Sequence, residues 1–123
     1  MSRPQGFTPA VKALVSERSG GLCERCGRHE PDMQYHHRRP RGSGGSKRPD
    51  TNQPANCLHV SAACHSIIES LRSDAYEYGW LVRQHETPAD IPVLRRGLWV
   101  QLDDGGDYTA VERVPAPQEA GGC

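Results

Sequence analysis

The feature that most restricts what this chain can fold into is the placing of its cysteines. Cys23, Cys26, Cys57 and Cys64 all fall between positions 23 and 64, the first two in the stretch CERC, while Cys123 ends a polar tail. The chain is 123 residues long and 35% hydrophobic, with 13 Gly and 10 Pro. One domain of that size buries a modest core and commonly needs a staple such as a metal. The cysteine count is odd, and the N-terminal MSRPQGFTPAVKALV lacks the apolar centre and cleavage site of a secretory leader. Both argue against a disulfide framework. No apolar run approaches the roughly 20 residues of a membrane span. The expectation is a cytoplasmic protein with no membrane partner.

Cap and turn signals divide the chain. Thr8 and Pro9, then Val11, Leu14 and Val15, with Gly20 or Gly21 beyond, predict a helix. After the tight CERC turn, DMQYHH predicts a short strand running into a loop. Residues 38–55, RRPRGSGGSKRPDTNQPA, hold three Pro, three Gly and five basic residues and are expected to be irregular. NCLHVS (56–61) predicts the returning strand. AACHSIIESLRSDAYEYG (62–79) predicts a helix, with Ile68, Leu71, Ala75 and Tyr78 at helical spacing and Gly79 as its stop. Further on, WLVRQ (80–84) and GLWVQL (97–102) predict strands, DDGGD a turn, and YTAVERV a pairing strand.

Within this order, His36 and His37 stand just ahead of Arg38, Arg39 and Arg41. Imidazole titrates near neutral pH, and such a pair among arginines suits the handling of phosphate. Successive residues of an ideal strand point to opposite faces, so the two share one site only where the strand gives way to a loop. Pro40 puts that exit close by. His65 and Glu69, four apart, lie on one face of the predicted helix. Glu69 is then a third metal ligand, a group that holds His65 from outside the coordination sphere, or a solvent-facing partner of Arg72 or Arg83. His59 is expected to be structural, and Trp80 and Trp99 to lie in the core.

Taken in sequence, CERC, YHHRRPRGSGG, PANCLHV and ACHSIIES resemble the HNH endonuclease family, whose core is the ββα-metal finger. The likeness covers roughly residues 21–72 and is greatest to the small bacteriophage members, in which a cysteine pair flanks the catalytic histidines. It implies that His36 and His65 hold a catalytic divalent metal and that His37 is the general base. It also implies that Asn56, rather than Asn52 inside the loop, braces the segment presenting the base. The chemistry is coherent on its own terms. A neutral His37 takes a proton from water, and a divalent ion (Mg²⁺, Mn²⁺ or Ni²⁺) polarises a phosphate oxygen and stabilises the departing 3′ oxygen. The resemblance further implies 5′-phosphate and 3′-hydroxyl products, and a phage protein acting beside the terminase in the host cytoplasm.

Such proteins usually hold a structural zinc between two Cys-x-x-Cys pairs. Here the first pair is Cys23 and Cys26, but the second reads SAAC, with Ser61 where cysteine is expected. A serine hydroxyl stays protonated at neutral pH and is a poor zinc ligand, whereas Ser61 is a good helix N-cap. Cys23, Cys26 and Cys64 then bind Zn²⁺ with Cys57, His59 or water as the fourth ligand, bind it weakly, or pack as small apolar groups.

Net charge is zero, yet residues 1–48 hold ten Lys and Arg against four Asp and Glu, and residues 49–123 hold five against eleven. Such a split gives a basic face. Arg38, Arg39, Arg41, Lys47 and Arg48 are the candidate contacts to double-stranded DNA. Contacts of this kind position a duplex without reading its bases and weaken steeply with salt. Arg39 or Arg41 is also placed to neutralise transition-state charge.

The expected fold is α+β, with a ββα-metal core at 21–79. An N-terminal helical segment at 1–20 precedes it, a β-rich extension follows at 80–114, and a disordered tail at 115–123 ends the chain. The expected function is that of a metal-dependent HNH DNA endonuclease of low sequence specificity. Two rivals use the same residues: a catalytically weak DNA-binding module that keeps the fold, and a structural zinc-binding interaction module.

Overall fold

The computed structural model describes residues 6–40 and 48–112. Arg41, Lys47 and the tail expected to be disordered lie outside the described residues.

The first helix, α1, spans Pro9–Ser19. The Thr8 hydroxyl caps it by accepting from the Val11 N–H at 3.2 Å, and Gly20 closes it in the left-handed conformation that glycine adopts without penalty. Its buried side, Val11 and Val15, packs with Phe7 and Cys57.

The centre is an antiparallel hairpin of β1 (Met33–His37) and β2 (Cys57–Ser61), with His36 opposite Leu58 and His37 opposite Cys57. Alternation gives the hairpin two working faces. Tyr35, His37, Cys57 and His59 share the face toward α1. Gln34, His36, Leu58 and Val60 share the other, where α2 (Ala62–Ser70) packs. Strand β2 is buried at all five positions because it is covered on both sides. The Ser61 hydroxyl accepts from the Cys64 N–H at 3.1 Å and so caps α2, as expected. Two strands and a helix across one face make the ββα unit, and the fold is α+β.

The continuous helix expected over 62–79 is two helices. α2 ends at Ser70, Leu71 breaks the chain with φ −112° and ψ 60°, and α3 spans Arg72–Glu77. No proline or glycine announces the break. It leaves Leu71 54% exposed and turns Ala75 into the same core as Ile68. WLVRQ is not a strand. Trp80, Leu81 and Val82 are buried as irregular chain, tied to the exit of β1 by the Val82 N–H on the Arg38 carbonyl at 2.7 Å. A short apolar run has no period with which to tell a buried strand from a buried loop.

A second sheet has the order β3 (Val93–Arg95), β4 (Leu98–Leu102), β5 (Tyr108–Ala110). β3 is three residues long and carries no alternation that would mark it in advance. It joins β4 through Arg96 and Gly97, both at positive φ (53° and 84°), the backbone of a two-residue hairpin turn whose twist matches its strands. Val93, Trp99, Val100 and Leu102 enter one core with Leu58, Val60, Ile68 and Trp80. Among the described residues no helix is long and apolar enough to cross a membrane.

The hairpin tip also grips the CERC loop. Glu24, fully buried, accepts from Arg18 Nη2 at 2.7 Å, Arg95 Nε at 2.8 Å and the His59 N–H at 3.0 Å. Arg96 donates to the carbonyls of Ser19 at 2.6 Å and Leu22 at 2.8 Å. Burial alone would raise the Glu24 pKa, but the Arg18 charge and these hydrogen bonds outweigh it and hold the carboxyl below its ordinary 4.5.

A carboxylate whose pKa is depressed by folding stabilises the fold fully above its unfolded pKa. That contribution falls away as pH drops through the folded value. Acid titration followed by circular dichroism is therefore expected to show stability declining below about pH 4.5, with Glu24→Gln flattening the decline and costing ~3 kcal/mol at pH 7. Gly79 sits at φ 77°, and a Cβ there collides with the Pro92 carbonyl oxygen. Gly79→Ala is expected to cost ~3 kcal/mol or more in urea denaturation.

Candidate metal and active site

His36 is buried on the inner face of β1, its Nε2 2.8 Å from the Trp80 carbonyl oxygen. A carbonyl only accepts, so Nε2 carries the hydrogen and Nδ1 carries the lone pair. Burial pulls the His36 pKa down to about 3; the Trp80 carbonyl opposes this, and the charges of His65, His37 and Arg38 add to it. The ring is neutral at physiological pH. His65, in the first turn of α2, is held likewise: its Nδ1 lies 2.6 Å from Gln34 Oε1, which turns Nε2 toward Glu69. Glu69 Oε1 lies 3.9 Å from His36 Nδ1 and 3.7 Å from His65 Nε2. One donor atom from each of the three falls within 4.8 Å of the others. The second Glu69 oxygen accepts from Arg72 Nη1 at 2.9 Å, so the carboxylate serves the histidines and the arginine together.

The donor set fits a divalent ion. The His36 ring is neutral, and both rings are turned toward Glu69 by an outside hydrogen bond, as metal-binding histidines commonly are. Two imidazoles and one carboxylate suit a borderline ion such as Ni²⁺ better than Mg²⁺ or Mn²⁺, which prefer oxygen.

His37, the last residue of β1, belongs to the opposite strand face but borders the same cleft, about 220 Å³ in volume, as His36, His65, Glu69 and Arg72. Phe7 stacks on its ring, centroids 4.0 Å apart and planes 15° apart. Its Nε2 lies 2.8 Å from Asn52 Oδ1, an acceptor, which leaves the lone pair on Nδ1. Asn56 is fully buried. It accepts from the Arg39 N–H at 2.7 Å and donates to the carbonyls of Arg39 at 3.2 Å and Thr51 at 2.8 Å. One side chain thus ties both ends of the loop between the strands. Asn52, passed over in the sequence, orients His37, while Gln34 orients His65. Gln34 was findable, since it is two residues before His36 and shares its strand face. Asn52 had no periodic relation to anything.

Two arginines expected on DNA are elsewhere. Arg38 is wholly buried and donates to the carbonyls of Gly79 at 2.9 Å, Ala55 at 2.9 Å, Pro88 at 3.0 Å and Ile91 at 2.8 Å. Burial lowers its pKa to about 9, which still leaves it charged at neutral pH. Arg39 is 2% exposed, paired with Asp50 and bonded to the Glu86 carbonyl at 2.8 Å. Both are internal cross-links and present no charge to a duplex. Arg48 is exposed and donates to the Gln84 carbonyl.

The sulfurs of Cys23, Cys26 and Cys64 lie within 4.8 Å of one another, a group able to bind a metal ion. Cys57 and His59 are not beside them, contrary to two of the options for a fourth ligand. Cys57 packs against α1, where burial pushes its thiol well up. His59 bonds Ser19 Oγ at 2.7 Å and stacks on Tyr35 at 4.6 Å. Arg25 reaches the cluster instead, Nη1 3.2 Å from Cys64 Sγ and guanidinium 4.5 Å over the Trp80 ring. The structure joins Cys26 to Cys64 as a disulfide, against the expectation from the odd cysteine count. The reason is local: the CERC turn and the first turn of α2 bring these sulfurs together whether they are oxidised or hold an ion.

A 65-residue stretch is 34% identical to the type IV methyl-directed restriction enzyme EcoKMcrA of Escherichia coli (strain K12). The match covers 46% of this chain and 22% of that enzyme. No protein-family profile matches the chain, and no solved structure does.

Ser61→Cys is expected to act in two directions. In chelator, loss of the Ser61 cap costs about 1 kcal/mol. Under reducing conditions with Zn²⁺, a fourth thiolate tightens binding and raises the thermal midpoint above that of the parent. Paired melts in EDTA and in Zn²⁺ measure both effects.

Proposed function

We propose that this chain is a metal-dependent DNA endonuclease of the HNH family, acting on duplex DNA with little sequence preference. The observation that carries the reading is the convergence of His36 Nδ1, His65 Nε2 and Glu69 Oε1 at a cleft that His37 also borders. The similarity to part of a restriction enzyme supports nuclease chemistry. Phage origin and a place beside a terminase rest on the sequence resemblance.

His36, His65 and Glu69 would hold the divalent ion. When bound, it supplies charge stabilisation to a phosphoryl oxygen and to the departing 3′ oxygen. The remaining work belongs to the chain. His37, with its hydrogen held on Nε2 by Asn52, takes a proton from the attacking water at Nδ1. Phe7 covers one face of that ring and restricts its rotation. Asn56 holds the loop ends that keep Asn52 in register.

Supercoiled plasmid incubated with protein in EDTA, Mg²⁺, Mn²⁺ or Ni²⁺ tests this. Nicking is expected with a divalent ion and not in EDTA, with a fall of about 10²–10⁴-fold in His37→Ala and a smaller fall in Asn52→Ala. Folded protein that binds DNA and cuts with none of these ions would instead be a binding module. The burial of Arg38 and Arg39 counts against that reading, since it removes positive surface that duplex binding would use.

A further inference from the structure

The cleft needs a cation for the substrate, and the arginines best placed in sequence, Arg38 and Arg39, are spent on internal acceptors. Among the described residues that line the cleft, Arg72 is the one that carries a fixed positive charge. It opens α3 directly after the break at Leu71, three residues beyond Glu69, and its side chain is 45% exposed. Nη1 holds Glu69 Oε2 at 2.9 Å, and Nη2 makes a long 3.4 Å contact to the Tyr76 hydroxyl. A guanidinium has five N–H donors in a fixed fork, and these contacts use two of them.

We propose that Arg72 is a catalytic residue that binds the scissile phosphate directly, with one edge on Glu69 and the remaining donors on phosphoryl oxygens. The assignment rests on the endonuclease reading above and adds the group that meets the substrate's charge. A planar fork matches a phosphate in two-point contact. Its charge counts for most when developing negative charge lies beside it in a cleft partly shielded from water. Because Arg72 is fastened to a candidate metal ligand, phosphate bound by it lies next to the metal site.

The rival role is positioning: Arg72 could act only by holding Glu69. Plasmid nicking by the wild type, Arg72→Ala and Arg72→Lys across a Mn²⁺ titration separates the two, with Mn²⁺ affinity measured calorimetrically on the DNA-free proteins. Direct contact predicts that kcat of Arg72→Ala at saturating Mn²⁺ falls about 100-fold. It also predicts that Arg72→Lys recovers only part of this, and that ethylguanidinium in solution rescues Arg72→Ala but not His37→Ala. The salt slope of DNA binding should fall by about one. If excess Mn²⁺ alone restores full kcat, Arg72 only positions Glu69 and the proposal is overturned. Unchanged kinetics in Arg72→Ala beside an active wild type overturns it too and leaves the nuclease standing. A wild type inactive with every ion overturns both.

Discussion

The site hangs on a guanidinium that no solvent reaches. Arg38 follows directly on the histidine pair, and its donors end on carbonyls from three separate segments: the close of α3, the turn before β2, and the stretch leading into β3. Removing a guanidinium from water costs several kcal/mol. Four hydrogen bonds to a charged donor, roughly 1.5–3 kcal/mol each, offset that cost. With partners in three segments, the guanidinium ties those segments to one another. That geometry fixes the exit of β1 and, with it, the opposite directions of His36 and His37.

A second coupling follows from sequence adjacency. Cys64 and His65 are neighbours in α2, about 100° apart around the helix, so one turn serves two clusters. Cys64 meets Cys23, Cys26 and Arg25, while His65 meets His36 and Glu69. Whatever fixes Cys64, a disulfide or an ion, also fixes the rotation of α2 that aims His65. The CERC loop is in turn held by Arg95 on Glu24 and by Arg96 on the Cys23 carbonyl, both from the second sheet, so that sheet supports the candidate metal site from a distance. The cysteine cluster therefore bears on the candidate metal site without lining the cleft.

Much of the frame was legible because it rests on local chemistry. The Thr8 and Ser61 caps, the Gly20 stop, the two strands of the hairpin and the N-terminal part of α2 are written in residues that leave few alternatives. The pairing of His65 with Glu69 needed only an i, i+4 relation, whereas His36 was joined to them through the family resemblance. The failures share a cause as well. Arg38 and Arg39 count as charge in a composition, but their partners are mostly backbone carbonyls, which have no sequence identity. WLVRQ is as apolar as a strand, yet Leu81 and Val82 donate to the carbonyls of Ala75 and Arg38, two separate segments, rather than along one strand. Asn52 serves His37 across an irregular loop, where no period links the two.

The break at Leu71 uncouples two neighbouring stretches of helix. The candidate metal ligands belong to α2, whereas Arg72 is the first residue of α3, a short helix seated by Ala75 and the chain around Trp80. An unbroken helix would lock the spacing of His65, Glu69 and Arg72 to one stripe of fixed pitch. With the break, the direction of Arg72 is set by the packing under α3, and only its bond to Glu69 ties it back to the candidate ligands.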